Sequence, residues 1–345
     1  MMFELVFPSP NATVSLQTAA QQTFVGEEQR RAAMDGSRIF QWYGLESEGV
    51  DCTLPLPVSF SWKHTTDSEE SDEAYFYLLV CENEDMHDAW VFITKDTSYD
   101  VYNLKVDTTY FWCVQKNGKR SNASSFHTRL TLPRCLKIHN ISNVRDMGGY
   151  AVEGGKIRQG LVYRGGETER HMHLSPDGAN TFRRLGLRTE LDMRGEVEGQ
   201  IDFTTAQAIG VNRVFVPIEP YQEIFNKDYL DSVATFFKVF TKKSNYPLYF
   251  HCWSGADRTG TFAFILGAFL GMRLSDLIYD YEFSSLSLGG IRTRNFDEFQ
   301  AFLTQFMRLP GNTMHEKGEA FLRKYACLTD KQIENIYHFL VEKER

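Results

Sequence analysis

The most reactive combination of residue types in this sequence lies within residues 246–260. An apolar segment, residues 247–250, leads into Cys252, five residues follow, and Arg258 then opens a long apolar pattern of helical spacing. Backbone N–H groups in a tight loop ahead of a helix attract an anion together with the helix dipole. The guanidinium of Arg258 adds a planar pair of donors that suits two phosphate oxygens. The stretch predicts a phosphate-binding loop formed by Trp253, Ser254, Gly255, Ala256 and Gly260.

The same arrangement makes Cys252 a candidate nucleophile. The positive potential of the loop amides, the helix dipole and Arg258 favours thiolate over thiol. A thiolate held beneath a bound phosphate can attack phosphorus in line and expel an alkoxide or phenoxide. The predicted product of that step is a phosphocysteine.

The second half of such a reaction needs groups that move protons. Asp257 can protonate the leaving oxygen and later accept a proton from the attacking water. The hydroxyls of Thr259 and Ser254 are expected to hydrogen-bond the thiolate when it leaves. This scheme requires no metal and no cofactor, and the six cysteines have no paired spacing that would indicate a zinc site. The alternative to Asp257 is an acid on an upstream mobile loop, where three carboxylates lie: Glu219, Glu223 and Asp228.

The spacing His-Cys-x5-Arg-Thr-Gly from His251 to Gly260 resembles the signature of cysteine-dependent protein phosphatases. Its form HCxxGxDRTG is similar to that of the bacterial tyrosine phosphatase family. Further segments resembling that family are residues 143–150 (NVRDMGGY), 160–166 (GLVYRGG), 187–194 (ending LDMR) and 280–292. The resemblance covers residues 138–342 and implies hydrolysis of phosphotyrosine, with dual specificity for phosphoserine and phosphothreonine, or phosphoinositide hydrolysis, in some members.

Residues outside the loop are expected to support it. His251 is interpreted as a hydrogen-bonding residue that orients the loop and tunes the thiolate. Asp192 and Arg194 end a predicted strand, where sites of α/β proteins gather, and Asp192 is predicted to hold Arg258 in position. Four more residues are candidates either for lining the pocket or for structural ion pairs: Arg145, Asp146, Arg164 and Arg292.

Two positions bear on the substrate. Ala256 stands where many members of the similar family have lysine, and the missing charge weakens the phosphoinositide interpretation. Trp253 can form a wall for a phenyl ring, which favours phosphotyrosine, or can be a packing residue. The alternatives that stay open are a phosphoinositide or inositol-phosphate phosphatase and a catalytically silent protein that binds a phosphorylated partner.

The elements that must position these residues show α/β periodicity after residue 133. Short apolar segments at residues 160–163, 188–193, 214–217 and 247–252 are predicted strands. Apolar residues at helical spacing follow at residues 229–240, 259–272, 274–283, 296–306 and 333–341. Alternating strands and helices predict a mainly parallel central sheet flanked by helices, so residues 135–345 are assigned to a cysteine-phosphatase domain.

The residues before 135 show a pattern typical of β-strands without helices. Short apolar or alternating segments at residues 58–63, 75–81, 89–94, 109–115 and 124–129 predict an all-β sandwich, assigned to residues 1–134. The pattern around Trp62, Tyr110 and Trp112 resembles a fibronectin type III-like module. Their aromatic rings are interpreted as core residues. By analogy with other appended β domains, this module is expected to bind a protein partner.

Charge and composition limit the remaining choices. The net charge of −8 belongs entirely to residues 1–134, and an acidic balance argues against a nucleic-acid partner. The longest uncharged apolar stretch, residues 259–272, is too short for a membrane span. Residues 1–17 have no basic end and apolar run of a secretory signal. A cytoplasmic protein is expected, with non-classical secretion left open.

Overall fold

The computed structural model describes residues 3–34, 50–65 and 75–343. The chain forms two compact units, one made of residues 1–17 and 55–132 and the other of residues 18–54 and 133–345. Residues 18–54 therefore lie with the second unit, which differs from the assignment of residues 1–134 to a single module. The physical reason is apolar burial: Phe24, Met34 and Cys52 share one hydrophobic cluster with Tyr279 and Phe283.

The first unit contains two β-sheets. Its strands are β1 (Phe3–Phe7), β2 (Ala12–Val14), β3 (Val58–His64), β4 (Phe76–Cys81), β5 (Trp90–Thr94), β6 (Ser98–Val101), β7 (Thr108–Lys116), β8 (Lys119–Arg120) and β9 (Ser124–Thr128). One sheet has the strand order β1-β3-β6 and the other β2-β9-β7-β4-β5, with β8 forming a hairpin with β7. The pairings among these strands are antiparallel except that of β2 with β9.

The two sheets contribute to one hydrophobic cluster. Trp62, Tyr110 and Trp112 are buried in it, as expected for core residues. The Trp112 ring meets Phe60 edge-on at 5.0 Å between ring centroids. The Tyr110 hydroxyl accepts the Lys105 backbone N–H at 2.8 Å, which ties the start of β7 to the connection before it.

The second unit carries the remaining strands and the helices. Its strands are β10 (Arg134–Cys135), β11 (Arg145–Asp146), β12 (Ala151–Val152), β13 (Gly155–Ile157), β14 (Val162–Gly165), β15 (Thr189–Asp192), β16 (Asn212–Phe215), β17 (Leu248–His251) and β18 (Val341–Lys343). Its α-helices are α1 (Ala19–Gly26), α2 (Glu28–Ala32), α3 (Pro176–Arg184), α4 (Thr205–Ala208), α5 (Leu230–Phe240), α6 (Asp257–Leu270), α7 (Leu274–Phe283), α8 (Asp297–Met307), α9 (Met314–Lys324) and α10 (Asp330–Leu340). Short 3₁₀ helices lie at Tyr221–Phe225, Lys227–Tyr229, Lys243–Asn245 and Ser284–Leu286.

The central sheet of the second unit has the order β10-β11-β14-β17-β15-β16. The four neighbouring strands β14, β17, β15 and β16 run parallel, as expected from the sequence. Their register places Gly165 and Asp192 on either side of His251 at the carboxyl edge. Because functional residues of parallel sheets gather at that edge, the chain that follows β17 is the natural place for a site.

Helix α6 is enclosed along most of its length. Every residue from Thr259 to Leu270 is buried. Helix α9 approaches it closely, and a Cβ added at Gly318 would lie 2.4 Å from the Phe269 backbone. No helix among the described residues is long and apolar enough to cross a membrane.

Candidate active site

Residues 252–258 connect β17 to the first turn of α6 and are called the phosphate loop below. Four successive carbonyls of this loop accept hydrogen bonds from groups outside it. The pairs are His251 Nδ1 to the Cys252 oxygen (3.0 Å), the Glu167 N–H to Trp253 (2.8 Å), Asn143 Nδ2 to Ser254 (3.1 Å) and Arg164 Nη2 to Gly255 (2.8 Å). In a trans peptide the N–H points away from the C=O, so the N–H groups of residues 253–256 face the opposite side. This geometry makes an anion cradle.

The loop requires glycine at position 255. Gly255 has a φ of +72°, a region that favours glycine. A Cβ there would lie 2.3 Å from the carbonyl carbon and oxygen of Gly165 and 2.7 Å from the Gly166 nitrogen. The carboxyl end of β14 and the loop can therefore pack backbone against backbone.

His251 is fully buried beneath the loop, between two acceptors. Its Nδ1 contacts the Cys252 carbonyl and its Nε2 contacts Glu190 Oε1, both at 3.0 Å. Since both partners only accept, both nitrogens must carry a proton for the two bonds to exist. Burial alone would lower the pKa of His251, but the charges of Asp192 and Glu190 outweigh burial and raise it. His251 is thus placed to orient the loop as an imidazolium.

A buried ion-pair cluster supports the loop from the other side. Asp280 accepts from Arg145 Nε at 2.7 Å and from Arg164 Nη1. Burial and the neighbouring Arg145 lower the pKa of Arg164 to about 10, which leaves it charged at neutral pH. The second terminal nitrogen of Arg164 then donates to the Gly255 carbonyl. Asp280 therefore fixes an arginine whose function is to hold the loop.

The loop opens into a cleft of about 930 Å³ that contains Cys252. Trp253 is half-exposed on its wall, with its ring 4.8 Å from that of His171. Both apolar and charged side chains line the cleft. The apolar ones are Met172, Pro220, Trp253, Leu288 and Phe296, and the charged ones are Glu198, Glu219, Asp257, Arg258, Arg292 and Glu298. Among the described residues no group of three or more His, Cys, Asp or Glu side chains is placed to hold a metal ion.

Arg258 points into this cleft and is paired with two carboxylates. Its Nη1 lies 2.7 Å from Glu198 Oε2 and its Nη2 lies 3.5 Å from Glu219 Oε2. Burial opposes the charge of Arg258, but Cys252 and these carboxylates raise its pKa. A phosphate that takes both terminal nitrogens must displace the two carboxylates.

The prediction that Asp192 holds Arg258 is wrong. Asp192 instead accepts from Arg194 Nε at 2.8 Å and Nη2 at 2.6 Å, and from Arg213 Nη2 at 2.7 Å. Burial alone would raise the pKa of Asp192, but His251 and the two arginines lower it. The carboxylate also accepts from the Arg194 backbone N–H and from Arg213 Nε, both at 3.2 Å. Its acceptor sites are therefore filled by arginines on its own strand end and on the neighbouring strand β16, and none is left for Arg258. Arg194 is buried and also binds Glu167 at 2.8 Å.

Asp257 lines the cleft and forms a two-pronged pair with Arg292. Nε and Nη2 of Arg292 lie 2.6 Å from Oδ1 and Oδ2 respectively. The Tyr221 hydroxyl donates a further hydrogen bond to Asp257 and lies 2.8 Å from the Tyr281 hydroxyl. Burial alone would raise the pKa of Asp257, but Arg292, Tyr221 and Arg258 lower it. Asp257 is therefore ionised when the cleft holds no phosphate.

The other proton-transfer candidates occupy different places. Glu219 lines the cleft, whereas Glu223 and Asp228 are exposed and lie outside its lining. The Thr259 hydroxyl is buried and has no hydrogen-bond partner among the described residues, so the expected bond to the sulfur is not made in this state. The Ser254 side chain lines the cleft.

The four further candidate residues divide by burial. Arg145 and Arg164 pair with Asp280, and Asp146 pairs with Arg134 at 2.6 Å, all three being buried structural pairs. Arg292 lines the cleft. The sequence reasoning assigned no role to several residues that contact the site: Asn143, Glu167, Glu190, Glu198 and Tyr221. Asn143 is the first residue of the family-like segment 143–150, so the sequence could have indicated a role for it. Glu198 and Tyr221 lie in connecting segments that match no motif.

Residues 136–342 match the model of the tyrosine phosphatase family. The match covers more than half of the sequence, and the chain belongs to this family. It includes the phosphate loop, every strand of the central sheet except β10, and the arginines Arg145 and Arg164 that support the loop.

The chain is also similar to individual proteins. A Cupriavidus necator protein, named provisionally as a tyrosine-protein phosphatase, is 29 % identical over 170 residues, which cover 42 % of this chain and 61 % of that protein. The chain thus spans less than two thirds of that relative. The core catalytic domain of the PP-IP phosphatase SIW14 from S. cerevisiae, solved with citrate, is 15 % identical, with 36 % of this chain and 71 % of that chain covered and a TM-score of 0.28.

Proposed function

We propose that the protein hydrolyses phosphomonoesters through a phosphocysteine on Cys252, and that its main substrates are phosphotyrosine residues of proteins. The protein would also hydrolyse phosphoserine and phosphothreonine, with lower efficiency. The observation that carries it is the set of four loop carbonyls held outward, which turns the N–H groups of residues 253–256 toward one side of the loop. Cys252 and Arg258 line the same cleft.

The first step transfers the phosphoryl group to sulfur. The Cys252 thiolate donates an electron pair to phosphorus, the P–S bond forms, and the bond from phosphorus to the ester oxygen breaks. Charge on the equatorial phosphate oxygens is stabilised by the loop N–H groups and by the Arg258 guanidinium. Asp257 gives its proton to the departing oxygen, so that an alcohol or phenol leaves.

Asp257 must gain a proton before that step, although Arg292 holds it ionised in the free protein. A phosphate dianion in the adjacent loop is a like charge, which raises the pKa of a nearby carboxylate. Binding of substrate therefore favours the protonated form. In the second step Asp257 takes a proton from water, the water oxygen attacks phosphorus, and the P–S bond breaks to release inorganic phosphate and the thiolate.

The cleft lining supports an aryl phosphate over a highly phosphorylated inositol. Five apolar side chains line it, and the indole of Trp253 can face a phenyl ring. Glu198, Glu219 and Glu298 would repel a ligand that carries several phosphates. Ala256 is buried and offers no charge to such a ligand.

We also propose that the first unit is a fibronectin type III-like module that binds a protein partner. The Tyr110 hydroxyl bond to the Lys105 N–H supports the type of module, because it resembles the tyrosine corner of immunoglobulin-like sandwiches. The protein partner is proposed by analogy with other appended β domains. The free cysteines among the described residues suit a reducing compartment, so we place the protein in the cytoplasm.

The test is the turnover of an aryl phosphate by the parent and by Cys252→Ser. Turnover should fall by a factor on the order of a thousand or more in this variant. The control is Cys327→Ser, which alters an exposed cysteine and should keep the parent rate. Tungstate binding should persist in Cys252→Ser because the amide cradle is intact. A silent phosphate-binding protein would instead bind tungstate and release no phosphate from any phosphomonoester.

A panel of substrates then separates the two substrate classes. Phosphotyrosine peptides should give a higher kcat/KM than phosphoserine peptides and than inositol polyphosphates. A higher kcat/KM with the inositol polyphosphates would assign the cleft to those ligands.

A further inference from the structure

Residues 18–34 and 50–54 precede the family match, yet they lie with the second unit. They are called the N-terminal brace below. The brace contacts two parts of the site: Asn143, which holds the phosphate loop, and residues 286–295, which carry Arg292. Both contacts are made by specific hydrogen bonds in addition to apolar packing.

The first contact is made by Thr53, whose side chain is buried. Its hydroxyl donates to Asp51 Oδ1 at 2.6 Å and accepts the Asn143 backbone N–H at 3.1 Å. Asn143 has a φ of +63°. This left-handed backbone conformation is unfavourable for a residue other than glycine and persists only where surrounding contacts stabilise it. In that conformation the side-chain Nδ2 of Asn143 donates to the Ser254 carbonyl. Thr53 therefore binds the backbone of Asn143, and the side chain of Asn143 binds the phosphate loop.

The second contact fixes the residues around Arg292. The Cys52 N–H donates to the Leu286 carbonyl at 2.8 Å. Asn295 Nδ2 donates to the Ala32 and Met34 carbonyls at 2.9 and 3.0 Å. Arg292 lies in the sequence between Leu286 and Asn295, the two residues held by the brace, and it binds Asp257 through two hydrogen bonds.

The brace itself is held by buried groups. Gln21 is completely buried, and its amide donates to the Cys52 carbonyl at 2.9 Å and to the Leu54 carbonyl at 3.0 Å. The guanidinium of Arg31 lies over the Tyr279 ring at 4.9 Å. The Gln21 hydrogen bonds hold the two parts of the brace together, and the Arg31 contact holds the brace against α7.

We infer that the N-terminal brace positions catalytic groups through two of its contacts: Thr53 is a positioning residue for the phosphate cradle, and Asn295 is a positioning residue for Arg292. The inference rests on the proposed function. Catalysis by oriented groups is sensitive to displacements of about 1 Å, which cost on the order of 100-fold in rate. Residues that never touch substrate can then control turnover.

The decisive experiment uses full-length Thr53→Val and Thr53→Ser. Valine removes the hydroxyl at nearly constant volume, whereas serine retains it. Thr53→Val should lower kcat for an aryl phosphate and weaken tungstate binding by about tenfold each, and Thr53→Ser should restore both. The matched control is Thr23→Val, whose hydroxyl bonds only the Ala19 carbonyl of its own helix among the described contacts and which should match the parent. Thermal unfolding of each variant checks that the chain is folded.

Asn295→Ala tests the second contact, with the exposed Asn180→Ala as its control. Loosening Arg292 should raise the pKa of Asp257 and move the basic limb of the kcat/KM profile to higher pH, while the control leaves that limb in place. A purely structural brace would lower the melting temperature and leave the limb unmoved.

The two failures can be told apart. If the parent hydrolyses aryl phosphates and Cys252→Ser does not, but Thr53→Val binds tungstate and turns over like Thr23→Val, the brace inference is overturned and the proposed function stands. If the parent hydrolyses nothing, the proposed function fails, and tungstate binding by Thr53→Val alone decides about the brace. Equal affinities for Thr53→Val and the parent would overturn it in that case too.

Discussion

The guanidinium of Arg292 faces the carboxylate of Asp257 in a parallel, two-bond arrangement, with both N···O distances at 2.6 Å. Such a pair is stronger and more specific in direction than a single hydrogen bond. It sets the protonation state of the residue that the proposed mechanism uses as acid and base. Several expected outcomes depend on it.

Replacing Arg292 with glutamine should raise the pKa of Asp257, because the largest opposing charge is lost. A general acid is active while protonated, so activity falls as pH rises through its pKa. The basic limb of the kcat/KM profile should therefore move up by about one pH unit or more. Arg292→Lys keeps the charge and should move it less. An unmoved limb in Arg292→Gln would argue that Asp257 is not the acid.

Asp257 and Glu219 can be distinguished by their effect on leaving groups. A general acid matters most when the departing oxygen is a poor leaving group. Asp257→Asn should slow phenyl phosphate far more than p-nitrophenyl phosphate, by a factor on the order of 100 between the two. Glu219→Gln should slow both substrates equally or not at all. The opposite pattern would transfer the role of acid to Glu219.

Glu198→Gln should strengthen the binding of phosphate analogues. In the free protein Glu198 occupies Arg258 at 2.7 Å, and its carboxylate must leave before an oxyanion can take that nitrogen. The side chain of Glu198 is 37 % exposed, so the effect is that of a partly screened pair, about two- to fivefold in the tungstate dissociation constant. Calorimetric titration measures it. Weaker binding in the variant would mean that Glu198 aligns Arg258 for the anion.

His251→Gln should destabilise the protein in a pH-dependent way. The folded-state pKa of His251 is raised above its unfolded value near 6.5, so the stabilisation is fully present below that pH. It is lost as the pH rises through the folded-state pKa. The free energy of unfolding should fall by about 1 to 3 kcal/mol in the variant at acidic pH, and the difference should shrink on the alkaline side. A difference that grows with pH would contradict an imidazolium at this position.

The sequence predicts those parts of the fold and the site that depend on residues close together in the chain. The placement of Cys252 and Arg258 in one cleft follows from local spacing, because a strand, a tight loop and a helix dictate it. The sequence pattern pairs Asp192 with the wrong arginine, because the guanidinium nearest to Asp192 in space belongs to Arg194, two residues along the same strand end. Arg258 takes its partners from connections without a recognisable pattern.

Long-range packing accounts for the other differences. Helix α9 was not predicted, since Gly318 interrupts its pattern, and only the close approach of α6 explains a glycine there. The assignment of residues 18–54 failed for a similar reason. Their apolar side chains are few, and the surface that buries them lies more than two hundred residues later in the sequence, on α7.

The central claim is tested most directly by quenching the reaction with a denaturant at alkaline pH during turnover of p-nitrophenyl phosphate and analysing the peptide that contains Cys252 by mass spectrometry. The peptide should carry one additional phosphoryl group on sulfur, and the modified fraction should increase in Asp257→Asn, because that variant lacks the base for the second step. An unmodified Cys252 peptide in both proteins, during steady release of phosphate, would contradict the phosphocysteine mechanism.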